Sequence, residues 1–254
     1  MANNTGFVRN ILRSWLDATA EMCIQTNDTK RIRTELDAML KPYVVSDKNR
    51  RMATSILLTT WAPPKKQATP FHTDAIDLYR IAESSGDHLA LHYGLTMLTY
   101  NFFRTTVTIL GQMRPIMPIF TSAILKQRVF ATYVQYGAVD KAVERVIFSL
   151  RNWEILTHGP KRSTYAFAGK SLSITQTAIT DWLLAATLYA NPADEMRIND
   201  LMHRPELFPF TITRTSDELR RSPRFMIHRQ GIRNDIIALG DNSNREVMKV
   251  PLLL

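Results

Sequence analysis

The periodicity of the apolar residues changes abruptly within residues 121–167, and this change constrains the fold more than any other feature of the chain. Between residues 140 and 153 the apolar side chains recur three or four positions apart, as on an amphipathic helix: Val143, Val146, Ile147, Leu150 and Trp153. A preceding helix is predicted from a cap at Thr121 or Ser122 to about residue 135, with Gly137 as its stop.

Two short extended segments follow these helices directly. Residues 154–157 and 163–167 are strand candidates, and a basic turn separates them, with the sequence His158-Gly159-Pro160-Lys161-Arg162. The predicted order is two helices joined by a short turn and then a two-stranded hairpin. This is the element order of a winged helix-turn-helix. In such a module the second helix enters the DNA major groove.

The predicted module carries candidate DNA-binding residues on two of its parts. If the apolar stripe of the second helix faces the core, its outer face carries Lys141, Glu144, Arg145, Ser149 and Asn152. We expect Lys141, Arg145 and Asn152 at the groove, because these side chains suit phosphates and base edges. Lys161 and Arg162, at the hairpin tip, are expected to grip the phosphate backbone.

The charge balance favours a polyanionic partner. The chain has 32 Lys and Arg against 23 Asp and Glu, a net charge of +9. A second basic cluster lies near the C-terminus, comprising Arg214, Arg220, Arg221, Arg224, Arg229 and Arg233. Arg220, Arg221, Arg224 and Arg229 are predicted to extend the DNA contact. The alternative is that these arginines pair with Asp217, Glu218 and Asp235.

The remaining sequence predicts a mainly α fold with three regions. Residues 1–115 form a helical N-terminal region, 116–190 the winged-helix module, and 191–254 a small C-terminal α/β extension with an arginine-rich β-hairpin. The first region is expected to contain one long helix from Asp87 to Leu110, with Gly111 as its stop. The last residues, 241–254, are predicted to be a tail.

Enzyme and cofactor motifs fail on inspection, which predicts a non-enzymatic protein without a metal or cofactor. Gly169-Lys170-Ser171 resembles the end of a phosphate-binding loop, but the required earlier glycine is Thr164. His88 and His92 share a helix face without a third ligand in the pattern, so a packed or capping pair is the simpler interpretation. Cys23 is predicted to be a small core residue rather than a nucleophile.

The sequence also predicts a cytoplasmic protein without membrane segments. The apolar stretch over residues 89–112 is interrupted by Arg104 and by several threonines, and about fifteen uncharged residues precede that arginine, fewer than a bilayer span needs. The start of the chain has no apolar signal-peptide core, and a single cysteine cannot form an internal disulfide.

Three segments resemble the BrxA family of small DNA-binding subunits from bacteriophage exclusion systems. They are residues 89–103, the helix pair over residues 124–153, and Glu206-Leu207-Phe208-Pro209-Phe210, together about a fifth of the chain. The resemblance implies a basic helical N-terminal part before winged-helix elements, and action beside other defence-system proteins. The arginine-rich hairpin is not part of the resemblance.

These observations predict a duplex DNA-binding protein of a bacterial phage-defence or regulatory complex. An adaptor that joins proteins within such a complex is one alternative, because winged helices also bind proteins. RNA binding is another, since a basic helical protein without a base-reading code often accepts either nucleic acid. A homodimer is a further expectation, because winged helices often dimerise.

Overall fold

The computed structural model describes residues 6–132, 136–230 and 234–240, and within them the fold is mainly helical, as predicted. The predicted tail and Arg233 lie outside the described residues. The helices are α1 (Arg13–Gln25), α2 (Thr29–Leu40), α3 (Asp47–Trp61), α4 (Pro70–Ile81), α5 (Ser85–Thr99), α6 (Asn101–Met113), α7 (Ser122–Phe130), α8 (Tyr136–Asn152), α9 (Thr177–Tyr189), α10 (Ile198–Met202) and α11 (Ser216–Arg220).

The strands in the described residues are short and belong to three small sheets. They are β1 (Ile119–Thr121), β2 (Leu156–His158), β3 (Thr164–Phe167), β4 (Leu172–Ser173), β5 (Glu195–Arg197), β6 (Phe210–Thr211), β7 (Phe225–Gln230) and β8 (Asn234–Leu239). The sheets have the orders β1-β3-β2 and β5-β8-β7, both antiparallel, and β4-β6, which is parallel. A 3-10 turn lies at Pro205–Leu207.

Side chains at the N-termini explain where several helices begin. The Asp28 carboxylate accepts hydrogen bonds from the backbone N–H groups of Lys30 and Arg31 at the start of α2. Before α5, the Ser84 hydroxyl accepts from the Asp87 N–H (3.0 Å), and the Asp87 carboxylate accepts from the Ser84 N–H (3.1 Å). This reciprocal capping box satisfies donors that have no partner within the helix.

The prediction of one continuous helix over residues 87–110 is wrong. The backbone at Tyr100 is extended (φ −122°, ψ 98°) and separates α5 from α6. The turn allows the Tyr100 hydroxyl to donate to the Ile56 carbonyl oxygen of α3 (3.2 Å), a contact that local periodicity does not reveal. Gly111, the predicted stop, lies inside α6.

The boundaries between α7 and α8 also differ from the prediction. Helix α7 ends at Phe130, and α8 already begins at Tyr136, so Gly137 lies inside a helix rather than ending one. Residues 133–135, where the first helix was predicted to end, lie outside the described residues. Strand β1 was not predicted, because three residues after Pro118 are too few for a period of two to be recognised.

One continuous apolar core runs through the three predicted regions. It extends from Phe7 to Leu239 and contains the fully buried indoles of Trp61, Trp153 and Trp182. Tertiary packing of these apolar faces therefore connects helices from the start of the chain with the C-terminal hairpin. Across the described ranges, none of the helices combines the length and apolar character that crossing a bilayer requires.

Candidate nucleic-acid interface

Helix α8 is fixed by its apolar face against the core. Val143, Val146, Ile147 and Leu150 are buried, as the stripe predicted, and α7 packs beside them through Leu125 and Val129. The chain then enters β2 and returns along β3, with Leu156 opposite Phe167 and His158 opposite Tyr165. Strand β1 pairs with the other edge of β3 and places Thr121, the residue before α7, opposite Thr164.

The tip of the β2–β3 hairpin is tightly structured. The Gly159 N–H donates to the Thr164 carbonyl oxygen (2.9 Å), and the Thr164 hydroxyl bonds both the N–H and the carbonyl oxygen of Lys161. Ser163 takes a left-handed conformation (φ 63°), which closes the turn. A turn fixed in this way presents its side chains to solvent, and binding a ligand there costs little backbone conformational entropy.

Lys161 and Arg162 project from this tip. Both are exposed, and neither side chain has an ion-pair or hydrogen-bond partner among the residues that the structure describes. The nearby rings of His158 and Tyr165 stack with centroids 6.2 Å apart and planes 23° from parallel. The tip is therefore a local positive charge on an ordered support.

The outer face of α8 carries cations, acids and the aromatic ring of Phe148. Lys141 and Glu144 are exposed, Arg145 and Arg151 are half-buried, and Phe148 is 38% exposed. Both acids on this face are engaged by α7, because Lys126 lies 2.8 Å from Asp140 and 2.6 Å from Glu144. Lys141 and Arg151 have no such carboxylate partner within the described ranges.

The N-terminal segment covers one side of α8, which the sequence did not predict. The Asn10 side-chain oxygen accepts from Arg145 (3.2 Å), and the Ser149 hydroxyl, buried here, accepts from the Ile11 N–H (3.0 Å). Asn152 accepts from the N–H of Arg13, the first residue of α1 (2.7 Å). Arg145 and Asn152 thus have structural roles that periodicity alone does not reveal.

Most of the predicted C-terminal arginines form ion pairs within the chain. Arg220 pairs with Asp235, Arg224 with Asp74 (2.6 Å), and Arg229 lies 3.7 Å from Asp235. Arg214, in the same cluster, holds Asp181 with two hydrogen bonds of 2.7 and 3.1 Å in a largely buried pair. Arg221 is exposed and has no ion pair among the described residues.

His92 and Cys23 lie in the core. The Trp61 indole N–H donates to His92 Nδ1 (3.2 Å), and His92 Nε2 lies 2.8 Å from the Asp17 carboxylate. Burial lowers the pKa of His92, and it raises the pKa of the Cys23 thiol to about 12, so this thiol is a poor nucleophile. Gly169-Lys170-Ser171 precedes strand β4 rather than a helix.

Metal ligands do not converge in the described part of the chain. Within it, no group of three or more His, Cys, Asp or Glu side chains could hold an ion. Comparison of the chain with protein-family models, with curated proteins and with solved structures finds no significant match.

Proposed function

We propose that this protein binds duplex DNA through a winged-helix module that extends from α6 to β3. The order of elements supports this proposal: one helix, a short strand, two helices and a hairpin, with the first strand added to the hairpin as β1-β3-β2. In this assignment α8 is the recognition helix in the major groove, and the β2–β3 hairpin is the wing along the backbone.

The observation that carries the proposal is the free positive charge at the wing. Lys161 and Arg162 are exposed on an ordered turn and have no carboxylate partner in the described residues. Binding phosphates therefore requires no intramolecular ion pair to break. Release of the counterions around the DNA backbone supplies the affinity.

The other predicted DNA-contact residues differ in whether a nearby carboxylate offsets their charge. Lys141 and Arg151 on α8 add cations that have no carboxylate partner in the described residues, and Arg145 donates to the neutral amide of Asn10, which does not offset its charge. Arg220, Arg224 and Arg229 face carboxylates that offset their charge. We assign most of the electrostatic attraction to α8 and the wing, and a smaller part to Arg221, which has no ion pair among the described residues.

A salt series tests the proposal directly. The measurement is fluorescence anisotropy of a labelled duplex of about thirty base pairs, titrated with protein at increasing salt. We expect micromolar or tighter binding whose logarithm falls linearly with the logarithm of salt concentration. Structured RNA should not displace the duplex, and absence of binding at low salt would refute the proposal.

Charge reversal at the wing is the first variant to compare. Lys161→Glu with Arg162→Glu should weaken binding by about tenfold or more and reduce the salt slope by about two, one for each phosphate that the variant no longer neutralises. The melting temperature should not change, because both side chains are exposed and unpaired within the described structure.

A matched control is available in the connector between α3 and α4. Lys65→Glu with Lys66→Glu makes the same charge change at two adjacent exposed lysines far along the chain from the wing. The control should retain most of the affinity. Equal losses in both double variants would show that net charge, rather than the wing, determines binding.

A protein adaptor is the second candidate function, and one surface favours it. Tyr43 and Val45, in the connection between α2 and α3, are 70% and 89% exposed, which is unusual for apolar side chains so close together. The BrxA resemblance extends this candidate to other defence-system proteins. Co-purification of partners that survives nuclease treatment and is lost in Tyr43→Ala would support the adaptor.

A further inference from the structure

Phe148 is a large apolar side chain on the solvent side of α8. It lies outside the stripe formed by Val143, Val146, Ile147 and Leu150, and its ring is 38% exposed. It belongs neither to the apolar core nor to the partly buried residues that pack against that core. The side chain is therefore accessible to a ligand that binds this face of α8.

Cations surround this ring on the helix surface. Lys141 lies two turns before Phe148, and Arg145 and Arg151 lie three residues before and after it. The acids on the same face, Asp140 and Glu144, are both held by Lys126 of α7. An exposed ring within a net positive surface fits a polyanion that also presents apolar groups.

We infer that Phe148 reads thymine through the 5-methyl group in the major groove. This inference rests on the proposed function, in which α8 is the recognition helix. The thymine methyl is the apolar group that base pairs present in the major groove, and phenylalanine is among the side chains that contact it. Phosphates offer Phe148 no apolar partner, whereas the surrounding cations suit the backbone on either side.

The same surface is less suited to a protein partner. The core of a protein–protein interface is depleted of charge, and lysine is disfavoured there. Here Lys141, Arg145 and Arg151 lie within two turns of the ring on the same helix. A protein that covers Phe148 would have to neutralise or desolvate these cations, while DNA neutralises them with phosphates.

The test replaces thymine by deoxyuridine, which removes only the 5-methyl group. Affinities are measured for two alternating A·T duplexes of about thirty base pairs, one with thymine and one with deoxyuridine, so that every register presents the group to α8. The wild-type protein should bind the deoxyuridine duplex about three- to fivefold more weakly, the effect of one methyl group buried from water. Phe148→Ala should bind both duplexes equally.

Two controls separate this contact from general affinity. Lys161→Glu with Arg162→Glu should weaken binding to both duplexes and keep their ratio, because the wing does not contact the methyl group. Met226→Ala, which truncates another half-exposed apolar side chain on β7, should leave both affinities unchanged.

The possible outcomes are distinct. Equal wild-type affinity for the two duplexes, or discrimination that persists in Phe148→Ala, overturns the inference and leaves duplex binding intact. Absence of binding to either duplex overturns the proposed function as well. In that case, loss of a co-purifying protein in Phe148→Ala would assign the ring to a protein interface.

Discussion

Asp87 connects two parts of the chain through a single carboxylate. Besides capping α5, it accepts hydrogen bonds from the N–H groups of Thr175 (2.7 Å) and Gln176 (3.2 Å) and from the Thr175 hydroxyl. Burial raises the pKa of Asp87, but hydrogen bonds from Thr175, Ser84 and Gln176 outweigh it and lower the pKa to about 2. The carboxylate is therefore ionised throughout the physiological range.

Asp87→Ala should destabilise the protein by about 3 kcal/mol or more, because several buried N–H donors lose their acceptor at once. The measurement is the free energy of unfolding in urea. Asp28→Ala is the matched control, since Asp28 caps α2 in an exposed position and makes no comparable tertiary bonds; it should cost about 1 kcal/mol. Similar effects at the two sites would contradict the role assigned to Asp87.

At the scale of elements, α6 and the 3-10 turn at Pro205–Leu207 approach each other closely. Gly111 faces this turn, and a Cβ atom on it would lie 1.9 Å from the Pro205 carbonyl oxygen. The turn is also held by the Tyr93 hydroxyl, which donates to the Glu206 carbonyl oxygen (2.7 Å). Glycine is required here because the two backbones touch, although its position inside a helix is locally unfavourable.

Gly111→Ala should therefore destabilise the protein by about 1 to 3 kcal/mol, the usual cost of overpacking. In an unpacked helix the same change would stabilise by up to about 1 kcal/mol, so the sign of the effect in thermal or urea unfolding is decisive. Gly169→Ala is the control, because nothing lies within 4 Å of its Cβ position. A stabilised Gly111→Ala would disprove the close approach.

At the scale of the whole molecule, two buried histidines make stability depend on pH. Burial lowers the pKa of His72 to about 4, and it also lowers the pKa of His92, whose Nδ1 accepts from Trp61. Both are neutral in the folded state near pH 7. The unfolded chain binds more protons below its histidine pKa of about 6.5, so stability is complete above that pH and is lost as the pH falls towards 4.

We expect His72 alone to contribute on the order of 3 kcal/mol to this loss between pH 6.5 and 4. The measurement is the free energy of unfolding across that range. His72→Gln should flatten the dependence, because glutamine keeps an acceptor for the capping box of α4 but does not titrate. An unchanged pH dependence in His72→Gln would exclude His72 as its source.

The sequence by itself determined the features that depend on neighbours within a few residues. The apolar period of α8 and its buried face were predicted, as were the β2–β3 hairpin with its basic turn and the C-terminal hairpin. Periodicity and turn chemistry depend on residues close together in the chain, so they can be recognised from the sequence. Lys161 and Arg162 were predicted at a turn and lie there for the same reason.

Only the tertiary structure decided which charged groups have partners and which apolar groups are exposed to solvent. The break at Tyr100 accompanies a hydrogen bond to α3, and the hydrogen-bond partners of Arg145 and Asn152 lie in a segment more than a hundred residues earlier. The partner of Arg224 is Asp74, 150 residues away. No local pattern contains such pairings, because they arise when apolar faces pack and bring distant polar groups together. That packing exposes Phe148 and leaves the side chains of Lys161 and Arg162 without partners among the described residues.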